Sequence, residues 1–203
     1  MNIDIFLFLQ GFLYAFFQNL WIGFLVLLIG LVIGVPFAII VHYKYGFHYL
    51  ITGLITVLRS LPVFIAMFIF LGILTMTFSI DESNIFSIPV LALIGGLCFS
   101  SISGSFDETL DYLHFRDAGE IRLSLLIIPN TFRLFISLAS TTAVGAAIGV
   151  KEVVYFALTT AELFPNNVDR LILVLFVSLF FVSFVLSSRW LLNLLVTKYR
   201  LIN

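Results

Sequence analysis

From Ile5 to Val41 the chain carries no charged side chain, and only Gln10, Gln18 and Asn19 interrupt its apolar character with amides. A helix crosses the hydrocarbon of a bilayer in about 20 residues. The run is therefore too long for one upright span and too apolar for the surface of a water-soluble fold. Composition agrees: 62% of the 203 residues are hydrophobic and 10% are charged, where soluble domains carry about 25% charged residues. With every backbone polar group needing an internal partner in lipid, the prediction is an all-α integral membrane protein. Residues 1–18 are read as an interfacial or periplasmic-side helix, and residues 19–197 as one transmembrane domain whose first span is 19–41. The absence of a basic leader before the apolar run argues against a cleaved signal peptide.

Charges mark the later boundaries. HYKYGFH at 42–48 is the first polar break, followed by a short helix to Ser60 and a second span over about 60–79, closed by Asp81 and Glu82. The third span is read at 86–105 and the fourth within 123–150. A polar-broken linker with a partly apolar helix covers 151–170, and the fifth span runs from Leu171 to about Val196. Arg189 lies roughly 27 Å below the start of that span at the helical rise, where it can snorkel beside Trp190. One side of the membrane then receives Lys44, Arg59, Arg116, Arg122, Arg133, Arg189, Lys198 and Arg200, and the other receives Lys151 and Arg170. The basic side is expected to be cytoplasmic. Five spans give an outside N-terminus and an inside C-terminus, with residues 198–203 as a cytoplasmic tail.

The chemistry-bearing residues point away from catalysis. No Walker loop, HExxH, cysteine cluster or nucleophile–base pair is present, so no catalytic residue, cofactor or metal ligand is assigned. His42 and His48 are six apart, a poor helical pair for a metal. A net charge of −1 gives no footprint for nucleic acid. No charged side chain is expected at a bilayer midplane, which argues against an ion-relay transporter. Gly30 and Gly34 sit four apart on one helix face. That spacing reads equally as a site of close helix approach or as the ordinary glycine content of membrane helices. The hydroxyl-rich stretches SSISGS (100–105) and SLASTTAVG (137–145) read either as helix packing or as the lining of a polar path. The mixed-charge segment Asp107, Glu108, Asp111, Leu113, Phe115, Arg116 and Asp117 is either a solvated loop or a docking element whose apolar knobs enter a groove on a soluble partner.

Five motifs in order carry a resemblance. They are the glycine-spaced NLWIGFLVLLIGLVIGVPFAI at 19–39, RSLPVFIAMFIF at 59–70, SGSFDE at 103–108, IIPNTFR at 127–133 and TTAVGAAIGVKEV at 141–153. Together the stretch from about 12 to 197 resembles the membrane-spanning permease subunits of bacterial ABC importers, polar amino-acid type, with methionine-type permeases also similar. The resemblance implies a permease-like fold of about five helices in the bacterial inner membrane. It implies half of a translocation pathway for a small polar solute, such as an amino acid. Its partners would be a cytoplasmic ABC ATPase, a second permease (homo- or heterodimer), a periplasmic or lipid-anchored solute-binding protein, and membrane lipid. ATP hydrolysis would belong to the separate subunit. A coupling segment at about 106–122 would hold the docking residues named above. Arg59 and Pro62 would bend and anchor the second span, Pro129 and Arg133 would seat the fourth, and Gly104, Gly145 and Gly149 would allow close packing. The sequence departs from the family's Glu-Ala-Ala-x-x-x-Gly loop: only DAGEIRL at 117–123 echoes it, and the loop is shorter by about a helix and a turn. That departure supports an alternative, an accessory permease-like subunit that transports little alone.

Overall fold

The computed structural model describes residues 5–77 and 87–201, all helices and connections. Helix α1 runs from Ile5 to His42, α2 from His48 to Ser60, α3 from Val63 to Thr77 and α4 from Ile88 to Asp117. A single turn, α5 (Ile121–Ser124), leads to α6 (Ile127–Thr141) and a 3-10 segment over Thr142–Ile148. Helices α7 (Val153–Glu162) and α8 (Asn167–Leu201) complete the chain. Among the described residues, four helical stretches are long and apolar enough to cross a membrane: Phe6–His42, Ile88–Asp117, Ile121–Ile148 and Asn167–Leu194. The bent pair α2–α3, with an angle of 96° between its halves, is a fifth candidate. The second span's expected end at Asp81 and Glu82 lies outside the described residues.

Two helices extend past the expected span limits. No helix break separates residues 5–18 from 19–41, because α1 is continuous over 38 residues. It continues even through Pro36, although proline removes one main-chain donor from the ladder. Its length is about 57 Å at the usual rise, so the extra turns found at the sequence level belong to the same rod. The third helix does not stop near 105 but runs on to Asp117. Nothing in FDETLDYLHFRD breaks a helix, and Gly119, at φ +79, supplies the left-handed turn that follows.

Helix α4 is the centre of the bundle. Gly30 of α1 faces Ser101, Gly34 faces the Ile102–Phe106 stretch, and His42 reaches Asp117. The contacts advance together along both helices, so α1 and α4 run parallel. A Cβ at Gly34 would stand 2.6 Å from the Ile102 carbonyl oxygen and 2.9 Å from the Phe106 nitrogen, so here the glycine spacing does serve close approach. The Ser101 hydroxyl donates to the Val26 carbonyl at 2.9 Å across the seam. Ser101, Ser103 and Ser105 are all buried, which makes the SSISGS stretch a packing surface. Ile22, Val26, Met67, Leu93, Leu97, Leu138 and Val150 close the main core around this seam.

A second seam is aromatic. Phe12 and Phe16 meet Phe180 edge-on at 4.8 and 4.9 Å between ring centroids, and Phe16 also meets Phe184 at 5.1 Å. Phe8 pairs with Phe176, so α1 and α8 also run parallel. Much of the chain's phenylalanine content thus sits in one seam, where edge-to-face pairs add to apolar burial.

Candidate functional site

Two polar constellations stand out from the apolar framework. One is at the end of the bundle where α1 and α4 finish. The other lies inside it, between α1 and α7.

At the first, Arg59 closes α2 and its guanidinium donates to both carboxylate oxygens of Asp107, at 2.5 and 2.7 Å. Pro62 follows in the break where the chain turns 96° into α3. Both bonds come from the one nitrogen Nη2 and not from the two prongs of an arginine fork, and both side chains are about half exposed. Asp107→Asn is therefore expected to cost no more than about 1 kcal/mol, read as a small shift in thermal unfolding in detergent. On the next residue, the Glu108 carboxylate interacts with Asn130 and Arg133 of α6. At the tip, Asp117 accepts from His42 Nε2 at 2.7 Å and from Arg116, whose guanidinium also donates to the Tyr43 hydroxyl at 2.8 Å. The His42 and His114 rings lie 5.1 Å apart. Among the described residues no group of three or more His, Cys, Asp or Glu side chains is arranged to hold a metal ion.

The structure places the expected docking residues on one helix end. Residues 107–117 are not a separate transverse helix but the last turns of α4, tied back to α1, α2 and α6. Leu113 is 5% exposed and cannot enter a partner's groove in this conformation. Phe115 is half-buried, and Asp111 is exposed. The free apolar side chains lie further on: Ile121 is 67% exposed, Leu125 50% and Ile128 63%, in α5 and the turn into α6. These side chains belong to IRLSLLII at 121–128, a cluster of large apolar residues beside the charged segment.

The small-residue positions separate into two kinds. A Cβ at Gly145 would stand 2.6 Å from Leu93 Cδ2 and 3.1 Å from the Val150 side chain, so close packing explains it. Gly104 meets only the flexible end of Leu134, at 2.9 Å. Gly149 has open space around it, and its constraint is conformational: φ is +85 where the 3-10 segment ends, a region that L side chains rarely adopt. Pro129 occupies the first turn of α6, where a missing donor costs little. Arg133 is exposed one turn later.

The second constellation was not anticipated. Glu152 had been placed in a polar linker, yet the structure buries it completely, at 0% exposure. Its carboxylate caps α7, accepting from the Val154 N–H at 2.9 Å and the Tyr155 N–H at 2.8 Å. Asn19, equally buried, donates its amide to Glu152 at 3.1 Å and accepts from the Val153 N–H at 3.2 Å. One carboxylate and one amide thus satisfy three donors at the start of α7 and join it to α1, about 21 Å along that helix from Ile5. Asn19 had been only an amide interruption in an apolar run, and nothing local marked it as a partner for a residue 133 positions away. A shallow groove between α6, α7 and α8 is lined by Ala143, Val154, Phe181, Val182, Val185, Leu186 and Ser140. It offers a polar solute almost nothing to bind.

No family model and no curated protein matches the sequence. Solved structures do match its shape. A chain of an amino acid ABC transporter crystallised with histidines superposes with a TM-score of 0.73 at 16% identity, covering 98% of this chain and 100% of the other. A chain of the methionine ABC transporter in an inward-facing conformation gives 0.66 at 13% identity, covering 94% and 97%. The central α4, the parallel α1 seam and the bent α2–α3 pair thus belong to an all-α architecture of four to five candidate membrane spans, an ABC-importer permease-like fold.

Proposed function

We propose that this chain is a membrane-spanning subunit of an ATP-driven importer, contributing half of a path for a small polar solute, with an amino acid as the leading class. The observation that carries the reading is the end-to-end agreement in fold with chains of two amino-acid-type ABC transporters. The positive-inside rule puts the Arg116–Arg122 end in the cytoplasm of a bacterial inner membrane. Arg133, Ser137 and Thr141 fall on one line of α6. The first two are exposed in the single chain, and a second permease packed here would complete a polar path. ATP hydrolysis belongs to a separate cytoplasmic subunit, and a periplasmic or lipid-anchored protein delivers the solute.

Coupling in this reading runs through the tip formed by Ala118–Ile128. The rigid end of α4, clasped to α1 by the His42–Asp117 and Tyr43–Arg116 contacts, transmits a push from the ATPase to the bundle. Ile121→Asp and Leu125→Asp are expected to abolish association with the ATPase while leaving thermal unfolding of the isolated subunit unchanged. Purification with native partners and identification of the subunits is the primary test. The absence of any ATPase from the complex would overturn the reading.

A second reading is supported by the shortness of α5. α5 has only four residues before the turn into α6, where a docking helix of several turns is implied by the family resemblance. An accessory subunit that supports a more typical permease would need no longer element. Reconstitution separates the two: the Ile121→Asp chain abolishes solute uptake if this tip couples, and leaves uptake intact if the partner permease alone engages the ATPase.

A further inference from the structure

We infer that α2 with the loop before it is an in-plane foot on the cytoplasmic leaflet, seated among phospholipid headgroups rather than spanning the bilayer. The leaflet rests on the orientation proposed above, whereas the in-plane seating does not. The 13 residues of α2 divide into lines spaced about 100° apart around the helix. Ile51 and Ile55, with Leu58, form the buried line and pack on Ala38, Ile102 and Phe106 of α1 and α4. Leu50, Leu54 and Val57 form the next line on one flank and are 68%, 40% and 56% exposed. Thr52, Thr56 and Arg59 form the line on the other flank and are also exposed. A helix held to protein by one face, with an apolar flank on one side and a hydroxyl and guanidinium flank on the other, matches a boundary between hydrocarbon and water.

Three further observations select lipid as the occupant of the apolar flank. The 96° turn into α3 makes α2 cross the bundle if α3 spans it. The next helix, α3, carries further exposed apolar side chains at Phe64, Ile65, Phe68, Ile69, Ile73 and Met76. The chain from Ile5 through Ile80 contains no acidic residue, and the loop before α2 presents exposed Tyr43, Lys44, Tyr45 and Phe47, with Tyr49 82% exposed. Asp107 and Asp117 of α4 are engaged with Arg59 and His42, and among the described residues Lys44 forms no ion pair; tyrosines at headgroup level and such a lysine favour an anionic leaflet surface. Lys44 sits at the turn with φ +53, and the Tyr45 N–H closes that turn on the Ile40 carbonyl of α1 at 3.1 Å.

The test uses single cysteines in a Cys98→Ser background, spin-labelled at positions 50, 52, 54, 56 and 57 in the full chain in nanodiscs. Labels at 50, 54 and 57 are expected to favour oxygen over an aqueous nickel chelate, at headgroup depth, and those at 52 and 56 to show the reverse. Nickel access at all five would overturn the inference, as would deep oxygen access at all five. Access of neither quencher to 50, 54 and 57 would also overturn it by showing a protein partner on that flank. Lys44→Gln is expected to weaken retention of anionic over zwitterionic lipid about fivefold, and unchanged retention would remove the headgroup contact. Labelling of Gly46→Cys by an impermeant reagent, from the periplasmic side only, would overturn the leaflet and the proposed orientation while leaving the depth pattern to judge the in-plane seating.

Discussion

Glu152→Ala is expected to lower the stability of the isolated subunit by about 3–5 kcal/mol, seen as a large drop in its unfolding temperature in detergent. The substitution removes the acceptor for two main-chain N–H groups at the start of α7. It also leaves the Asn19 amide without its partner in a site with no exposed surface. An N-cap alone is worth about 0.5–2 kcal/mol, and the buried unpaired donors add the rest. Glu152→Gln retains an acceptor for one or both backbone donors, so about half the loss is expected. Asn19→Ala approaches the full loss, because it leaves the Val153 N–H and part of the Glu152 carboxylate unsatisfied together. If Glu152→Ala unfolds within a degree or two of the unmodified chain, water reaches this site and the closed network described here is wrong.

Gly30→Leu is expected to be at least as damaging, for a steric reason. A Cβ at position 30 would fall on the Ser101 hydroxyl and within 2.8 Å of its main-chain carbonyl carbon. Backbone cannot swing aside as a side-chain tip can. Even Gly30→Ala must separate α1 from α4 and break the Ser101–Val26 hydrogen bond; overpacking of this kind costs about 1–3 kcal/mol. Leucine should prevent the seam from forming, leaving a chain that inserts but is cleaved rapidly by protease and does not elute as one species. Gly53→Leu on α2 is the control. That glycine has open space around it, and the change should leave folding intact. Comparable protease resistance of the two variants would show that the α1–α4 seam does not hold the bundle together.

The two predictions draw on features of unequal visibility. The Gly30–Gly34 spacing is readable on the chain because a helix repeats every 3.6 residues, so positions four apart share a face wherever the helix goes. What it packs against is not readable, and SSISGS was one small-residue stretch among several. Likewise Arg59 and Pro62 marked a turn by local rules, while the carboxylate that receives Arg59 was one of several acids in a mixed-charge loop. Charged residues upstream of α5 suggested the docking knob, but helical phase turned Leu113 inward and left Ile121, Leu125 and Ile128 outside.

The sequence by itself determined the class of protein. A charge-free run, a 10% charge content and basic residues gathered in alternate loops act through solvation and need no tertiary detail. Helical lengths were less secure at their ends, because neither the neutral amides of α1 nor the charged residues in FDETLDYLHFRD of α4 break a helix, and both helices continue past the point where one span suffices. Only the tertiary structure decided which polar groups are buried. Glu152 is an ordinary linker acid until Asn19, from the middle of another helix, and the open end of α7 meet it. A buried polar group is tolerated only where partners converge, and that convergence is a property of the packed bundle.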